Sequence, residues 1–399
     1  MPAISQRAET MPASPIRKLV PFAEAAKQRG VHVYHLNIGQ PDIPTPRGML
    51  DAFRNHDISV LAYGHSGGLW KYREGLAKYY QKFDINVSKE QILVTTAGSE
   101  AIIFAMMTAM DPGDEILIPE PFYTNYLGFA VEAGVSVVPL TCKAEDGFRL
   151  PPDADIRAKI TNKTKAIMIC NPNNPTGYVY SLEELERVRK LVLEYDLFFM
   201  SDEVYREFVY DGKKHHSVMH LKGLDERAIL LDSISKRYSA CGARVGCLVT
   251  KNQGILDSAL RFGQARLCPP TMEQIAATAA LDTPQSYFDE VIGDYLARRE
   301  VVFEELAKIP GVFAQKPGGA FYTVVKLPVD SAERFCKWLL NDFHDNHETV
   351  MLAPAAGFYA TPGLGVDEAR IAFVLNVKAM KRSMEILGKA LKAYPGRVA

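Results

Sequence analysis

No stretch of this 399-residue chain stays apolar for the roughly 18 to 20 residues that a membrane-spanning helix needs, so the sequence offers no transmembrane segment. Net charge is almost absent too: 46 basic against 47 acidic residues leave −1. No molecule-wide field therefore gathers nucleic acid or an anionic membrane, neither is expected as a partner, and any anion binding has to be local. Cysteine is scarce, and the six present (Cys142, Cys170, Cys241, Cys247, Cys268 and Cys336) show neither CxxC nor metal-ligand spacing. That pattern gives no disulfide framework and no metal site. The segment MPAISQRAETMPASPIRKL has no apolar core of signal-peptide length, and together with the dispersed thiols it sets the expectation of a cytoplasmic protein.

What the chain does contain is 47% hydrophobic residues, enough for a sizeable core, over a length beyond one typical domain. Seven short β-rich runs, QILVTT, EILIPE, VSVVPL, AIMICN, LFFMSD, AILLDS and GCLVT, alternate with helical stretches such as SLEELERVRKLVLEYD. In that stretch Ser181 followed by Glu184 forms a capping box ahead of apolar residues at helical spacing. Alternation of this kind predicts an α/β fold with a mainly parallel seven-stranded sheet covered by helices on both faces. We assign residues 49–285 to this large domain. Residues 1–48, loop-rich with a short helix, and 286–399, opening with the charged helix YFDEVIGDYLARREVVFEELAKI, form a smaller α+β domain built from both termini.

Ligands of such sheets sit where strands end at their carboxyl edges, and five motifs fall there. In LLDSISKRYSACGARVG, Lys236 leaves an apolar strand among Ser233, Ser235, Gly242, Arg244 and Gly246, so hydroxyl and guanidinium donors can converge on an anion. In VTTAGSEAIIFAMM, the amides of Gly98 and Ser99 open a helix and can hold a phosphate, although an ordinary cap at Ser99 reads the same way. The loop CNPNNPTGYVY presents Asn173 and Asn174 on a backbone stiffened by proline. In FFMSDEVYREF, Asp202 brings a carboxylate towards the interior, where it needs a cation or several donors, and Tyr205 lies three residues on. In PEPFYTNY, Tyr123 follows a strand and can serve as core or as a stacking platform. An amine able to form an imine, a carboxylate for a ring nitrogen, donors for a ring oxygen, an aromatic platform and a phosphate cradle together describe a site for pyridoxal 5'-phosphate.

These motifs, with LNIGQPDIPTP, YGHSGGLWKYREGLA, DPGDEILIPEPFY, PGGAFY and ARIAFV in the same order, make the sequence resemble the class I and II aminotransferases of fold type I, close to the aspartate aminotransferase type, over essentially the whole chain. The resemblance implies that Lys236 is the Schiff-base lysine, Asp202 the partner of the pyridine nitrogen, Asn174 and Tyr205 the ligands of the ring oxygen, and Tyr123 the stacking residue. It assigns Gly98, Ser99, Ser233, Arg244 and, more weakly, Ser235 to the phosphate. It also implies a homodimer with shared active sites, in which Tyr63 reaches the neighbour's phosphate. For substrate it implies Arg370 as the grip on the α-carboxylate, aided by Asn174 and the backbone at Gly39; without the resemblance Arg370 reads as a surface arginine on an alternating strand.

The expected activity is ping-pong transfer of an amino group between an L-amino acid, aspartate-like or of broad range, and 2-oxoglutarate. Its small-molecule partners are amino acids and 2-oxo acids. Ser99 stands where aspartate-preferring relatives can carry a lysine. Arg266, reaching the neighbouring site, is a second candidate receptor for a side-chain carboxylate, with a solvent-facing arginine at a helix end as its plain alternative. Ile16 and Ile38 can instead shape an apolar pocket for aromatic or aliphatic side chains. A carbon–sulfur lyase would use the same cofactor residues and is the alternative chemistry. A cofactor-binding regulator without turnover lacks the DNA-binding domain that would support it.

Overall fold

The structure, a computed structural model, describes residues 2–398. The seven runs form one seven-stranded sheet, in the order 92–96, 245–249, 228–233, 198–202, 164–170, 115–120, 136–141. Strand Val245–Val249 runs antiparallel to both of its neighbours, and all the other pairs are parallel. Runs such as AILLDS are buried along their whole length because both faces are covered. Ile229 and Leu231 enter one apolar cluster, whereas Leu230 enters the cluster on the other face. The strand period of two thus feeds two cores from one apolar run.

Helix Leu182–Glu194 starts at the expected capping box, with Ser181 Oγ accepting from Glu184 N and the Glu184 carboxylate accepting from Ser181 N at 3.0 Å. Helix Ala97–Ala109 is capped at Thr96 rather than at Ser99, so Gly98 and Ser99 lie in its first turn. Glu100 accounts for the earlier start, since its carboxylate turns back to accept from Thr96 N at 2.7 Å. Gly246 lets that turn approach the sheet: a Cβ there would strike the backbone of Ala97 and Gly98.

The two ends of the chain build the remaining strands. A four-stranded antiparallel sheet runs 353–354, 368–372, 322–326, 313–314, and a parallel pair joins His32–His35 to Glu348–Met351. The amino-terminal segment is more ordered than its composition suggests: it carries helices Gln6–Thr10 and Val20–Gln28 besides the strand His32–His35. That strand shows no apolar run, because HVYH is only partly buried and its partner lies more than 300 residues away. Helix Gln285–Leu306 matches the long charged helix read from sequence. One apolar cluster contains Leu19, Val33, Phe335 and Val350 from the ends of the chain and Met200 and Leu231 from the large sheet, so the two portions share a continuous core. Among the described residues no helix is long and apolar enough to cross a membrane.

Candidate active site

The carboxyl edge of the large sheet opens into a cavity of about 440 Å³. Its walls include Gly98, Ser99, Tyr123, Asn174, Asp202, Tyr205, Ser233, Ser235, Lys236 and Arg244 from the large sheet's loops, with Gly39 and Arg370 from the ends of the chain. Tyr63, by contrast, does not line it and stands 81% exposed on the surface.

Lys236 sits in the one-turn helix Ile234–Arg237, capped by Ser233, whose Oγ accepts from Ser235 N at 3.2 Å. The Lys236 amine donates to the Gly39 carbonyl at 2.9 Å and lies 3.7 Å from Cys241 Sγ. Burial works against its charge, but the polar atoms of Tyr322, Cys241 and Tyr123 more than offset burial and hold the amine above its ordinary pKa. The hydroxyls of Ser233 and Ser235 are 2.8 Å apart. Beside them Arg244 adopts a left-handed backbone, φ 54°, and the Gly98 and Ser99 amides belong to the unpaired first turn of a 13-residue helix.

Asp202, at the end of its strand, is buried at 6% exposure, and its Oδ2 accepts from Tyr126 Oη at 2.7 Å. Burial pushes its carboxyl up to about 6, even though the hydrogen bonds from Tyr126 and Val204 N pull it down. Tyr205 and Tyr322 share a hydrogen bond of 2.9 Å between their phenols. Tyr123 packs edge-on against Tyr126, with centroids 5.5 Å apart, and its phenol accepts from Asn125 Nδ2 at 2.9 Å.

Arg370 is not a surface arginine. Only 2% exposed, it donates from Nη1 to Asn174 Oδ1 at 2.9 Å and from Nη2 to the Asn37 carbonyl, while its Nε has no partner. Tyr322 and Phe358 lie against the guanidinium, 4.6 and 5.0 Å from its carbon. Burial lowers its pKa, with partial compensation from the phenols of Tyr322, Tyr205 and Tyr123. Among the described residues no carboxylate pairs with it. A buried guanidinium needs an anion, and the cavity supplies Asp202 alone against Lys236, Arg244, Arg370 and Arg17.

Several wall residues escaped the sequence reading. Tyr126 was visible in the quoted PFYTNY, three residues beyond Tyr123, but nothing in the sequence tied it to Asp202. Tyr322 and the Asn37 side chain, which is buried without a partner, arrive from the terminal segments. Arg17 comes from the loop before helix Val20–Gln28. Ile16 and Ile38 do line the cavity, as an apolar wall requires. Arg266 is not a solvent-facing arginine: it is largely buried, its Nε holds Glu100 at 3.0 Å within the same chain, and it does not line this chain's own cavity.

Comparison with known proteins agrees with this geometry. Residues 31–363 match the family described as aminotransferase class I and II. The chain is 30% identical to the aromatic-amino-acid aminotransferase 2 of Thermococcus litoralis over 98% of both sequences. It is also 30% identical to the aspartate aminotransferase of Pyrococcus abyssi, again over 98% of each. The solved aspartate aminotransferase of Thermotoga maritima superposes with a TM-score of 0.89 at 28% identity, covering 98% of this chain and all of that one. Fold, site and relatives define an enzyme of the transaminase class. The chain belongs to the class I and II aminotransferase family, whose enzymes depend on pyridoxal phosphate.

Proposed function

We propose that the cavity binds pyridoxal 5'-phosphate and that the enzyme moves an amino group from an L-amino acid, aspartate-like or of broad range, to 2-oxoglutarate by a ping-pong mechanism. The observation that carries this reading is the buried, acid-free Arg370 in the same cavity as the Lys236 amine and the buried Asp202 carboxylate. The residues fit the group: Asp202 is a buried acid in want of a cation, and the first turn of helix Ala97–Ala109, Ser233, Ser235 and Arg244 offer donors to a phosphate. Tyr123 supplies a ring face, and Asn174 and Tyr205 supply donors for a ring oxygen.

When bound, the cofactor contributes a carbonyl that condenses with amines and a protonated ring that takes up the electron pair released at the amino acid's Cα. Asp202 keeps the proton on the ring nitrogen. Arg370 grips the substrate's α-carboxylate bidentately, steadied by Asn174 and aided by the backbone at Gly39, which orients the Cα–H bond. Lys236 would hold the cofactor and, as a general base, would take the proton from the substrate's Cα.

Homodimeric assembly is supported by an exposed apolar strip next to Tyr63: Val60 is 75% and Leu61 64% exposed. The division into 49–285 and the two terminal portions is supported by the separate sheets. A second reading, with aromatic or aliphatic amino acids as donors, is favoured by Ile16 and Ile38 on the wall and by the aromatic-amino-acid relative.

A half-reaction screen tests both readings. Holoenzyme is mixed with single amino acids while loss of the cofactor's visible band and appearance of the 2-oxo acid are followed. Conversion by aspartate and glutamate supports the first reading, and conversion mainly by phenylalanine, tyrosine or leucine supports the second. Absence of conversion by any amino acid overturns the proposed activity.

A further inference from the structure

Behind the cavity, on the sides of the strands that face away from it, lies a buried ionic cluster that none of the roles above uses. Its centre is Asp232, fully buried. Its Oδ2 accepts from Tyr80 Oη at 2.8 Å, from Arg206 Nη1 at 3.2 Å and from Arg237 Nη2, while its Oδ1 accepts from Ser233 N at 2.7 Å. Arg206 holds Glu203 with its other nitrogen at 3.0 Å, and both side chains have no exposure.

The members of this cluster are sequence neighbours of the active-site groups. Glu203 follows Asp202 directly, Arg237 follows Lys236, and Ser233 belongs to the proposed phosphate cradle. Asp202 ends its strand on the cavity wall while Glu203, the next residue, lies off that wall, and the one-turn helix divides Lys236 from Arg237 in the same way. A chain of charges thus runs from the Asp202 segment through Glu203, Arg206, Asp232 and Arg237 to the Lys236 segment, anchored by Tyr80 to helix Trp70–Gln81. A buried ion pair is a poor source of net stability beside a hydrophobic replacement, but its directional bonds fix the distance between the elements that carry it.

We propose that Asp232 is a positioning residue, which sets the placement of Lys236 relative to Asp202 by gripping Arg237 and Arg206 at once. The inference rests on the cofactor roles proposed for Lys236 and Asp202. Two readouts on holoenzyme test it: the half-reaction rate against amino-acid affinity, and the visible circular dichroism of the bound cofactor, which reports its seating on Lys236 without turnover.

Asp232→Asn keeps the shape and removes the charge. The expected result is a loss of about tenfold or more in kcat, with KM within about twofold, and an altered cofactor dichroism at full cofactor content. An unchanged dichroism and kcat would overturn the proposal. So would a parallel fall of kcat, cofactor content and thermal midpoint, which marks a merely structural role. Should Asp232→Asn fail to fold, Arg237→Met and Arg237→Lys are compared at equal thermal stability. Recovery of kcat and dichroism by lysine supports the positioning role, and equal behaviour of the two overturns it. Wild-type enzyme that shows the cofactor band but converts no amino acid would defeat the aminotransferase reading alone, since the dichroism still reports on Asp232.

Discussion

The Tyr126 phenol donates to Asp202 Oδ2 at 2.7 Å, with both groups buried on the cavity wall. This bond favours the ionised carboxylate and opposes the upward push of burial on its pKa. Tyr126→Phe removes it without changing the packing ring. The acid limb of the kcat/KM profile should then move to higher pH, and kcat/KM at pH 7 should fall by about tenfold, the scale of a hydrogen bond to a charged group. A pH-rate series on the variant and wild type checks this, and superimposable acid limbs would show that Tyr126 leaves Asp202 unaffected.

Asp202 itself makes a prediction about stability. Its folded pKa, about 6, lies above the ordinary 3.8. The folded state therefore holds the proton over a range where the unfolded chain has lost it, and stability falls as pH rises between those values. The cost is absent below about pH 4 and complete above about pH 6, where a two-unit gap is worth roughly 3 kcal/mol. Asp202→Asn should raise the denaturation midpoint of cofactor-free protein at pH 8 and leave it unchanged near pH 4. The same variant should lose most of its transaminase activity as holoenzyme. Denaturant titrations at the two pH values decide the point, and equal midpoints at pH 8 would mean that burial does not strain this carboxylate.

The large sheet was readable because its strands are short apolar runs separated by helical stretches, and the candidate site was readable because its loops follow those runs. What escaped depends on contacts distant in sequence. His32–His35 becomes a strand only through Glu348–Met351. Arg266 could be read as solvent-facing until the fold placed Glu100 beside it. The Tyr126–Asp202 bond joins the first turn of helix Asn125–Ala133 to the end of strand Phe198–Asp202, and no periodicity reports it. Arg370 shows the same limit from the other direction: an alternating strand gives its face, but only the packing of Tyr322 and Phe358 explains its burial.

That burial sets the third prediction. Arg370→Lys keeps a charge but loses the fork that engages Asn174 and Asn37 together. The Michaelis constants for amino acid and 2-oxo acid should rise by about two orders of magnitude, the scale for truncating one partner of a buried charge pair, while cofactor binding stays intact. Steady-state kinetics in both directions with a spectral titration of the cofactor separate the two effects. Unaltered Michaelis constants would remove Arg370 from substrate binding.

Gly39 couples the two ends of the chain to the site through its lack of a side chain. A Cβ there would collide with the phenol of Tyr322, whose oxygen lies 2.9 Å from Tyr205 Oη, and the Gly39 carbonyl accepts from Lys236 at 2.9 Å. Gly39→Ala must displace either Tyr322 or its own loop, and each displacement disturbs a group on the cavity wall. The variant should keep its far-ultraviolet dichroism and lose kcat/KM by about tenfold or more. If the effect runs through Tyr322, the two sites are not independent, and the same alanine in a Tyr322→Ala background should add much less than it does alone. Measuring the four corners of that cycle tests the coupling directly. Full additivity would place the damage in the Gly39 loop and its contact with Lys236 instead of in the tyrosine pair.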